Sequence, residues 1–408
     1  MIETRYEPMV VSTDVANPNM ATSSAQIGSN TAWAAGYTGA GSKVAVIDTG
    51  IDYEHQSFSA DGYNYSMKLN AEKKGMTLDA YKASVGVLTK ADLTNEVLAQ
   101  LNAKVTADKA YLNDKIPFAY NYIDKNYTVD HMGDAQGEHG SHVEGIAAAN
   151  AYIPNGDGTF SSALEKVLVQ GVAPDAQIVT MKVFGAGGGA YDADIMAGIE
   201  DSILLGADSV NLSLGSAAAG TARSSEDAYT KIMDSLTESG LVCVISAGNS
   251  SYWAQYTTPG DLYSDGVNFD TVGAPGSYTN ALTVASVDND GMISAKLEIA
   301  GSSIVYAETL TNAIGTPFGN ASMTTLDTTA DGSGTAYPYL FIDGLGAEED
   351  YAGMDLTGKI VFCKRGAINL VEKASTAAKL GAAATVIYNF ESGLINMDLS
   401  GYSYKAPA

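Results

Sequence analysis

Residues 44–52 read VAVIDTGID, an unalternating apolar run that ends in an acid, a threonine and a glycine. A parallel strand buried on both faces requires such a run, whereas a half-exposed strand alternates apolar and polar residues. Similar runs follow at residues 178–183, 210–214, 242–245 and 282–287. Helical stretches lie between them, so the pattern predicts an α/β domain with a mainly parallel sheet. Its functional loops should follow the carboxyl ends of the strands.

Three regions depart from this alternation. Residues 1–23 are polar and weakly patterned, which is typical of a linker or the tail of a pro-segment. Residues 56–130 are rich in Lys, Asn, Asp and Tyr, and we interpret them as an insertion that decorates the sheet domain of residues 24–290. In residues 291–408, short β-like runs alternate with turns around one helical stretch, which predicts a small, separate α+β unit.

The charge balance excludes one class of function. The chain contains 47 acidic and 22 basic side chains, a net charge of −25, whereas nucleic-acid binding needs a basic surface. No stretch reaches the roughly 18 continuous apolar residues of a membrane span. Residues 1–11 lack the apolar core of a signal peptide, so an export signal would lie upstream. Cys243 and Cys363 lie in apolar runs far apart in the sequence and are predicted to be buried thiols.

Asp48 is the first candidate for chemistry, because it ends a buried strand and a glycine turn follows it. Its Asp-Thr-Gly context also occurs in aspartic proteases, but that mechanism needs a second such motif, and the sequence has none. A dinucleotide site is disfavoured, because the glycines of residues 39–41 precede the strand instead of following it. The remaining alternative is a carboxylate that only shapes the turn at the strand end.

His139 is the second candidate, in the segment HGSHVEGI of residues 139–146, which is predicted to open a helix. At the start of a helix its ring can face a cleft and act as a base. A zinc site formed by His139 and His142 with Glu138 or Glu144 is the alternative, but zinc-binding helices of metalloproteases space their histidines by four residues, not three. His142 is expected to be a packed core residue.

Asn249 is the third candidate, in the segment SAGNS that follows the apolar run of residues 242–245. An amide displayed at a strand end can donate a hydrogen bond to an oxygen that becomes negative in a transition state. A simple Gly-Asn turn is the alternative. The segment NLSLG of residues 211–215 has a comparable place, and its glycine leaves room for an extended substrate.

These segments, in the order Asp, His, Asn, resemble the subtilisin family of serine proteases over roughly residues 24–290. The resemblance implies a subtilisin-like three-layer α/β fold, in which Asp48 and His139 are triad members and Asn249 binds the oxyanion. It also implies that substrate contacts come from Ser213, Leu214, Gly215, Ser246, Ala247 and Gly248. The chain is more similar still to the lactocepin and C5a-peptidase-like cell-envelope proteinases, and residues 291–408 look like their inserted protease-associated domain, here incomplete.

The resemblance implies an endopeptidase that hydrolyses proteins or peptides outside the cell or at the cell wall. It implies a monomer that needs no cofactor for chemistry and holds calcium as a structural ion. The family's Gly-Thr-Ser-Met-Ala motif does not occur; the nearest segment, around Ser322, lacks its glycine and threonine, so the nucleophile is expected after Ala408. Glu144 departs from the small residue typical of the family, and its charge is expected to raise the pKa of the histidine. The alternative is a non-catalytic adhesin fragment that binds proteins through the protease-associated domain.

Overall fold

The computed structural model describes residues 5–8, 20–131, 133–134, 136–167, 169–216, 227–249, 272–287, 295–311, 317–327, 334–390 and 397–408. The chain divides into two units, one of Met1–Val11 with Asn19–Gly291 and one of Ser12–Pro18 with Met292–Ala408.

The described strands of the first unit are β1 (Arg5–Pro8), β2 (Lys43–Asp48), β3 (Phe118–Asn121), β4 (Tyr152–Pro154), β5 (Phe160–Ser162), β6 (Gln177–Lys182), β7 (Ala190–Tyr191), β8 (Ser209–Leu212), β9 (Leu214–Gly215), β10 (Val242–Ser246) and β11 (Leu282–Val284). Its helices are α1 (Met20–Gln26), α2 (Ser29–Ala34), α3 (Ala60–Lys73), α4 (Leu78–Val85), α5 (Asn95–Gln100), α6 (Ala107–Ala110), α7 (His139–Ala148), α8 (Ala163–Lys166), α9 (Asp192–Leu204) and α10 (Ala228–Ser239). Among the described residues, the central sheet has six parallel strands in the order β11-β10-β8-β2-β6-β3. The predicted parallel α/β fold is confirmed.

Both faces of strand β2 are buried, which explains its unalternating sequence. Ala45 and Ile47 belong to one core cluster, together with Ile195 of α9, whereas Val46 belongs to a second cluster, together with Ala148 of α7. Since successive side chains of a strand point to opposite faces, these clusters are the two sides of one sheet. The result is a three-layer arrangement of helices, sheet and helices.

The predicted insertion at residues 56–130 is partly wrong. It contains β3, which pairs in parallel with β6 and is an edge strand of the central sheet. The helices α3 to α6 are additions before that strand. Strand β3 reads FAYN, which is four residues long and has no β-branched residue, so it lacked the signal that marked the other strands.

The interpretation of residues 1–23 as a linker or the tail of a pro-segment did not include the secondary structure found there. Arg5–Pro8 form a strand, and helix α1 begins at Met20. The segment RYEP has neither the alternation nor the composition of a typical strand. It forms a strand because it pairs with β7 and β9, which lie far away in the sequence, and a local pattern does not indicate such pairing.

The second unit has its own small core. Its described strands are β12 (Ala295–Ile299), β13 (Ser302–Tyr306), β14 (Tyr339–Phe341), β15 (Ile360–Lys364) and β16 (Ala384–Tyr388), with helix α11 (Leu370–Lys379). Strands β12 and β13 form an antiparallel hairpin, and β14-β15-β16 form a parallel sheet. Both predicted buried thiols are confirmed: Cys363 lies in this core and Cys243 in the first unit, and burial raises their pKa values to about 11 and about 12.

Within the described residues, no helix combines the length and the apolar composition needed to cross a bilayer.

The helices before β3 are anchored to the sheet domain through a buried lysine. Lys115 is fully buried, and its Nζ donates to the carbonyl oxygens of Pro174 at 2.8 Å and Ala176 at 2.6 Å. The same ammonium lies 5.3 Å from the centre of the Tyr63 ring of α3. Burial lowers the pKa of Lys115 to about 7.

Lys115→Met should destabilise the first unit by about 2–4 kcal/mol, because two buried carbonyl oxygens lose their donor. Both tryptophans of the chain lie within Asn19–Gly291, so urea unfolding followed by tryptophan fluorescence reports this unit. Lys74→Met, at an exposed position, is the control and should change stability by less than about 0.5 kcal/mol. Equal effects of the two substitutions would contradict the anchoring role.

Candidate active site

Asp48 and His139 lie in direct contact. The Nδ1 atom of His139 is 2.7 Å from Oδ1 of Asp48. The side chain of Asp48 is 1% exposed and that of His139 is 12% exposed, so the pair is largely shielded from water. A proton on Nδ1 that is donated to the carboxylate leaves Nε2 as the basic nitrogen of the imidazole.

The local backbone brings these two residues together. Asp48 is the last residue of β2 and His139 is the first of α7. The backbone N–H of Gly140 donates to Oγ1 of Thr49 at 2.8 Å, and the N–H of Asp52 donates to Oγ of Ser141 at 2.6 Å. The turn after β2 is therefore bonded to the first turn of α7.

Gly140 makes this close approach possible. A Cβ atom at this position would lie 2.1 Å from the carbonyl oxygen of Gly50, and no real Cβ contact is so short. A Cβ atom at Gly145, on the same helix, would have the Cζ of Phe58 as its nearest neighbour, at 4.0 Å. The two glycines of α7 therefore differ in function: one allows contact and the other leaves open space.

The predicted substrate-binding segments lie next to each other. Leu214 and Gly215 form β9, and Oγ of Ser246 donates to the carbonyl oxygen of Leu214 at 3.3 Å. Ser213 accepts a hydrogen bond from Nδ2 of Asn211 at 2.9 Å. The structure therefore brings the segment that contains Ser213, Leu214 and Gly215 against the end of β10.

Asn249 follows directly after that end. Ser246 is the last residue of β10, and the N–H of Ala247 donates to the carbonyl oxygen of Val284 at 2.8 Å. Gly248 has a φ of +97°, a left-handed conformation that favours glycine, and Asn249 is exposed beyond it. Strand β8 separates β10 from β2, so two interstrand spacings of about 4.8 Å lie between the strand ends that carry Asn249 and Asp48.

Sequence reasoning missed a strand in the groove beside these segments. Strand β1 pairs antiparallel with β7 on one side, where Arg5 lies opposite Tyr191, and with β9 on the other, where Glu7 lies opposite Gly215. The order of this small sheet is β7-β1-β9. The groove between β7 and β9 therefore accepts an extended peptide through backbone hydrogen bonds on both sides.

Two expectations about helix α7 were wrong. His142 is exposed, not packed in the core. Glu144 is 1% exposed, and its Oε1 accepts a hydrogen bond from Oγ1 of Thr180 at 2.9 Å. Burial raises the pKa of Glu144 well above its ordinary value, and the nearby charge of Asp48 acts in the same direction. A neutral Glu144 has no charge with which to raise the pKa of His139.

The alternative zinc site finds no support in the described part of the chain. No group of three His, Cys, Asp or Glu side chains there could hold a metal ion. Near His139, an open cleft of about 470 Å³ is lined by Asp52, Tyr53, Glu54, His55, Asp130, His131 and Glu138. Four of these seven side chains are carboxylates, so the surface beside the start of α7 is acidic.

Ser322 has hydrogen-bond partners within its own unit. It belongs to the second unit, where its Oγ donates to Oε2 of Glu308 at 2.7 Å. The same hydroxyl accepts from the N–H of Thr324 and caps a short 3₁₀ helix, Met323–Leu326. These bonds give Ser322 a structural role.

The fold and site define a class of α/β protein in which an Asp–His pair lies at the carboxyl edge of a parallel sheet, near a groove for extended peptides. The model of the subtilase family, peptidase family S8, matches residues 39–385. Because that match covers most of its length, the chain belongs to the subtilase family.

Three relatives illustrate the similarity. The chain is 29% identical over 402 residues to the minor extracellular protease Vpr of Bacillus subtilis. That match covers 97% of this chain and 37% of Vpr. It is 33% identical over 367 residues to the PII-type proteinase of Lacticaseibacillus paracasei, a match that covers 86% of this chain and 16% of that proteinase. It is 28% identical over 364 residues to the C5a peptidase of Streptococcus pyogenes, a match that covers 86% of this chain and 25% of that peptidase. The chain thus spans well under half the length of these relatives.

Gly140→Ala and Gly145→Ala should have opposite effects. The first substitution forces a Cβ against the backbone of Gly50 and should destabilise the first unit by about 1–3 kcal/mol. The second meets open space in a helix and should stabilise it by up to about 1 kcal/mol. Urea unfolding followed by tryptophan fluorescence measures both variants. If both substitutions changed the free energy of unfolding in the same direction, the close approach at Gly140 would be refuted.

Glu144→Gln should change how stability depends on pH. In the unfolded chain Glu144 ionises above about pH 4.3, whereas the folded state keeps its proton up to the raised pKa. The unfolded state then binds fewer protons, so this group lowers stability as pH rises from about 4.3, by up to about 1.4 kcal/mol per pH unit. Glu144→Gln has no group to ionise at this position, so its stability does not fall with pH for this reason.

Unfolding free energies of Glu144→Gln and the parent should therefore diverge in favour of the variant as the pH rises above about 4.3. Glu165→Gln, at an exposed position of α8, is the surface control. A difference between Glu144→Gln and the parent that stays constant over this range would show that Glu144 is ionised in the folded state.

Proposed function

We propose that this chain provides the aspartate, the histidine and the oxyanion donor of a serine endopeptidase. The contact between Nδ1 of His139 and Oδ1 of Asp48 carries the proposal, because it prepares Nε2 to accept a proton. The groove between β7 and β9 supports an extended peptide as the substrate. Protein or peptide substrates are also what protease-named relatives suggest.

In the proposed reaction, Nε2 of His139 takes the proton of a serine hydroxyl as that oxygen forms a bond to the scissile carbonyl carbon. Asp48 stabilises the imidazolium, and the side-chain amide of Asn249 donates to the carbonyl oxygen as it becomes negative. The proton then passes to the leaving amine as the C–N bond breaks. A water molecule attacks the acyl-enzyme by the same route and releases the acid.

The serine is proposed to follow Ala408, because the family's Gly-Thr-Ser-Met-Ala motif is absent from these residues and the relatives are much longer. Residues 291–408 are then a protease-associated domain inserted before the serine. The groove position of β1 favours the tail of a pro-segment over a linker as the interpretation of residues 1–23.

We also propose that the enzyme acts outside the cell or at the cell wall, as an extracellular relative suggests, and that it is a monomer. The chemistry needs no cofactor, and structural calcium is proposed from the family resemblance and the acidic composition of the chain.

A fluorophosphonate probe tests the proposal on the complete gene product, because it reacts with the serine of an assembled triad. The parent should be labelled, and His139→Ala should abolish labelling, because no base remains to activate the serine. His142→Ala removes the exposed histidine three residues away and should leave labelling intact.

Labelling that survives His139→Ala would refute the assigned base. A parent protein that is folded but never labelled would instead favour the non-catalytic, protein-binding alternative.

A further inference from the structure

Two buried carboxyl oxygens beside the site lack hydrogen-bond partners among the described residues: Oδ2 of Asp48 and Oε2 of Glu144. Both side chains are 1% exposed. A buried polar atom without a partner costs about 1–3 kcal/mol, so two such atoms in one region call for a common explanation.

The register of the sheet places the two carboxyl groups on the same face. Thr180 lies opposite Val46, and Lys182 lies opposite Asp48. Because side chains alternate along a strand, Val46 and Asp48 share a face, and the core cluster of Val46 includes Ala148 of α7. The bond from Thr180 holds the carboxyl of Glu144 on this face, about 6.6 Å along the strand from the level of Asp48.

The two orphan oxygens are chemically complementary. An ionised Asp48 only accepts hydrogen bonds, and its Oδ1 already accepts from His139 and from the N–H of Thr49 at 2.7 Å. A neutral Glu144 has one O–H donor, and Thr180 already donates to its Oε1. The proton of Glu144 therefore belongs on Oε2, the atom that lacks an acceptor.

We infer that Glu144 is a positioning residue whose Oε2–H donates to Oδ2 of Asp48, directly or through one water. Such a donor fixes the plane of the Asp48 carboxyl so that Oδ1 faces His139. It also withdraws part of the carboxylate's charge from the imidazolium, which keeps the pKa of His139 lower than Asp48 alone would set it.

Other polar groups near the pair do not replace this donor. Nζ of Lys182, on β6, donates to the carbonyl oxygen of Thr49 at 2.6 Å and to Asp134. His139 is bound to Oδ1, and His142, on the same helix, is exposed. On β3, Asn121 donates to Asp124 and to the carbonyl oxygen of Thr128, so its amide is also engaged.

The inference rests on the Asp48–His139 pair of the proposed function, and it is tested without turnover. NMR of ¹³C,¹⁵N-labelled histidine follows the titration of His139 in the complete gene product, and the resonance is assigned by its loss in His139→Ala. Glu144→Gln keeps a neutral donor, whereas Glu144→Leu fills the space without one. Glu144→Leu should raise the pKa of His139 by at least about half a pH unit, and Glu144→Gln should leave it within about 0.2 unit.

Two outcomes would overturn the inference. Unchanged titration of His139 in both variants would reduce Glu144 to a packing role, even if both variants were less stable. A lowered pKa of His139 in both variants would show that Glu144 carries a negative charge in the folded protein. Should Glu144→Leu fail to fold, Glu144→Ala supplies the donor-free variant. Because the NMR titration needs no serine, it remains informative if fluorophosphonate labelling fails.

Discussion

Parallel pairing of β2 with β6 and β8 is the constraint on which the rest of the first unit depends. The pairing buries both faces of β2 and ends with Asp48 opposite Lys182, so the strand has one stable register. A slip by one residue would move Asp48 to the opposite face of the sheet, away from α7 and His139. The hydrophobic core therefore does more than stabilise the fold, because it determines which way the carboxylate points.

The two buried carboxyl groups near the start of α7, Asp48 and Glu144, have different hydrogen-bond donors. Asp48 receives hydrogen bonds from a backbone N–H and from an imidazole, both of which favour a charged oxygen. Glu144 receives one bond from a hydroxyl and has no cation in contact among the described residues, and burial raises its pKa well above the ordinary value. Two acids of the same burial thus differ in the donors that reach them: a backbone N–H and an imidazole at Asp48, and a single hydroxyl at Glu144.

Several features were predictable because their signals are local. Helix α10 lies between the apolar runs of residues 210–214 and 242–245, where a helical stretch is predicted, and helix α11 is the helical stretch predicted within residues 291–408. The start of α7 at His139 was also predictable. Strand β3 and strand β1 were not, because a four-residue segment becomes a strand only when a distant partner is available to pair with it.

The sequence by itself determined the α/β class, the order of the candidate residues and the family, because buried strands and glycine-flanked motifs impose local patterns that survive without coordinates. Only the tertiary structure decided that β3 pairs with β6 in the central sheet, that β1 lies in the groove, and that Glu144 is buried against Thr180. The physical reason is the same for all three. Long-range backbone pairing and the protonation of a buried acid depend on which distant groups come together in the fold, and no stretch of residues records that alone.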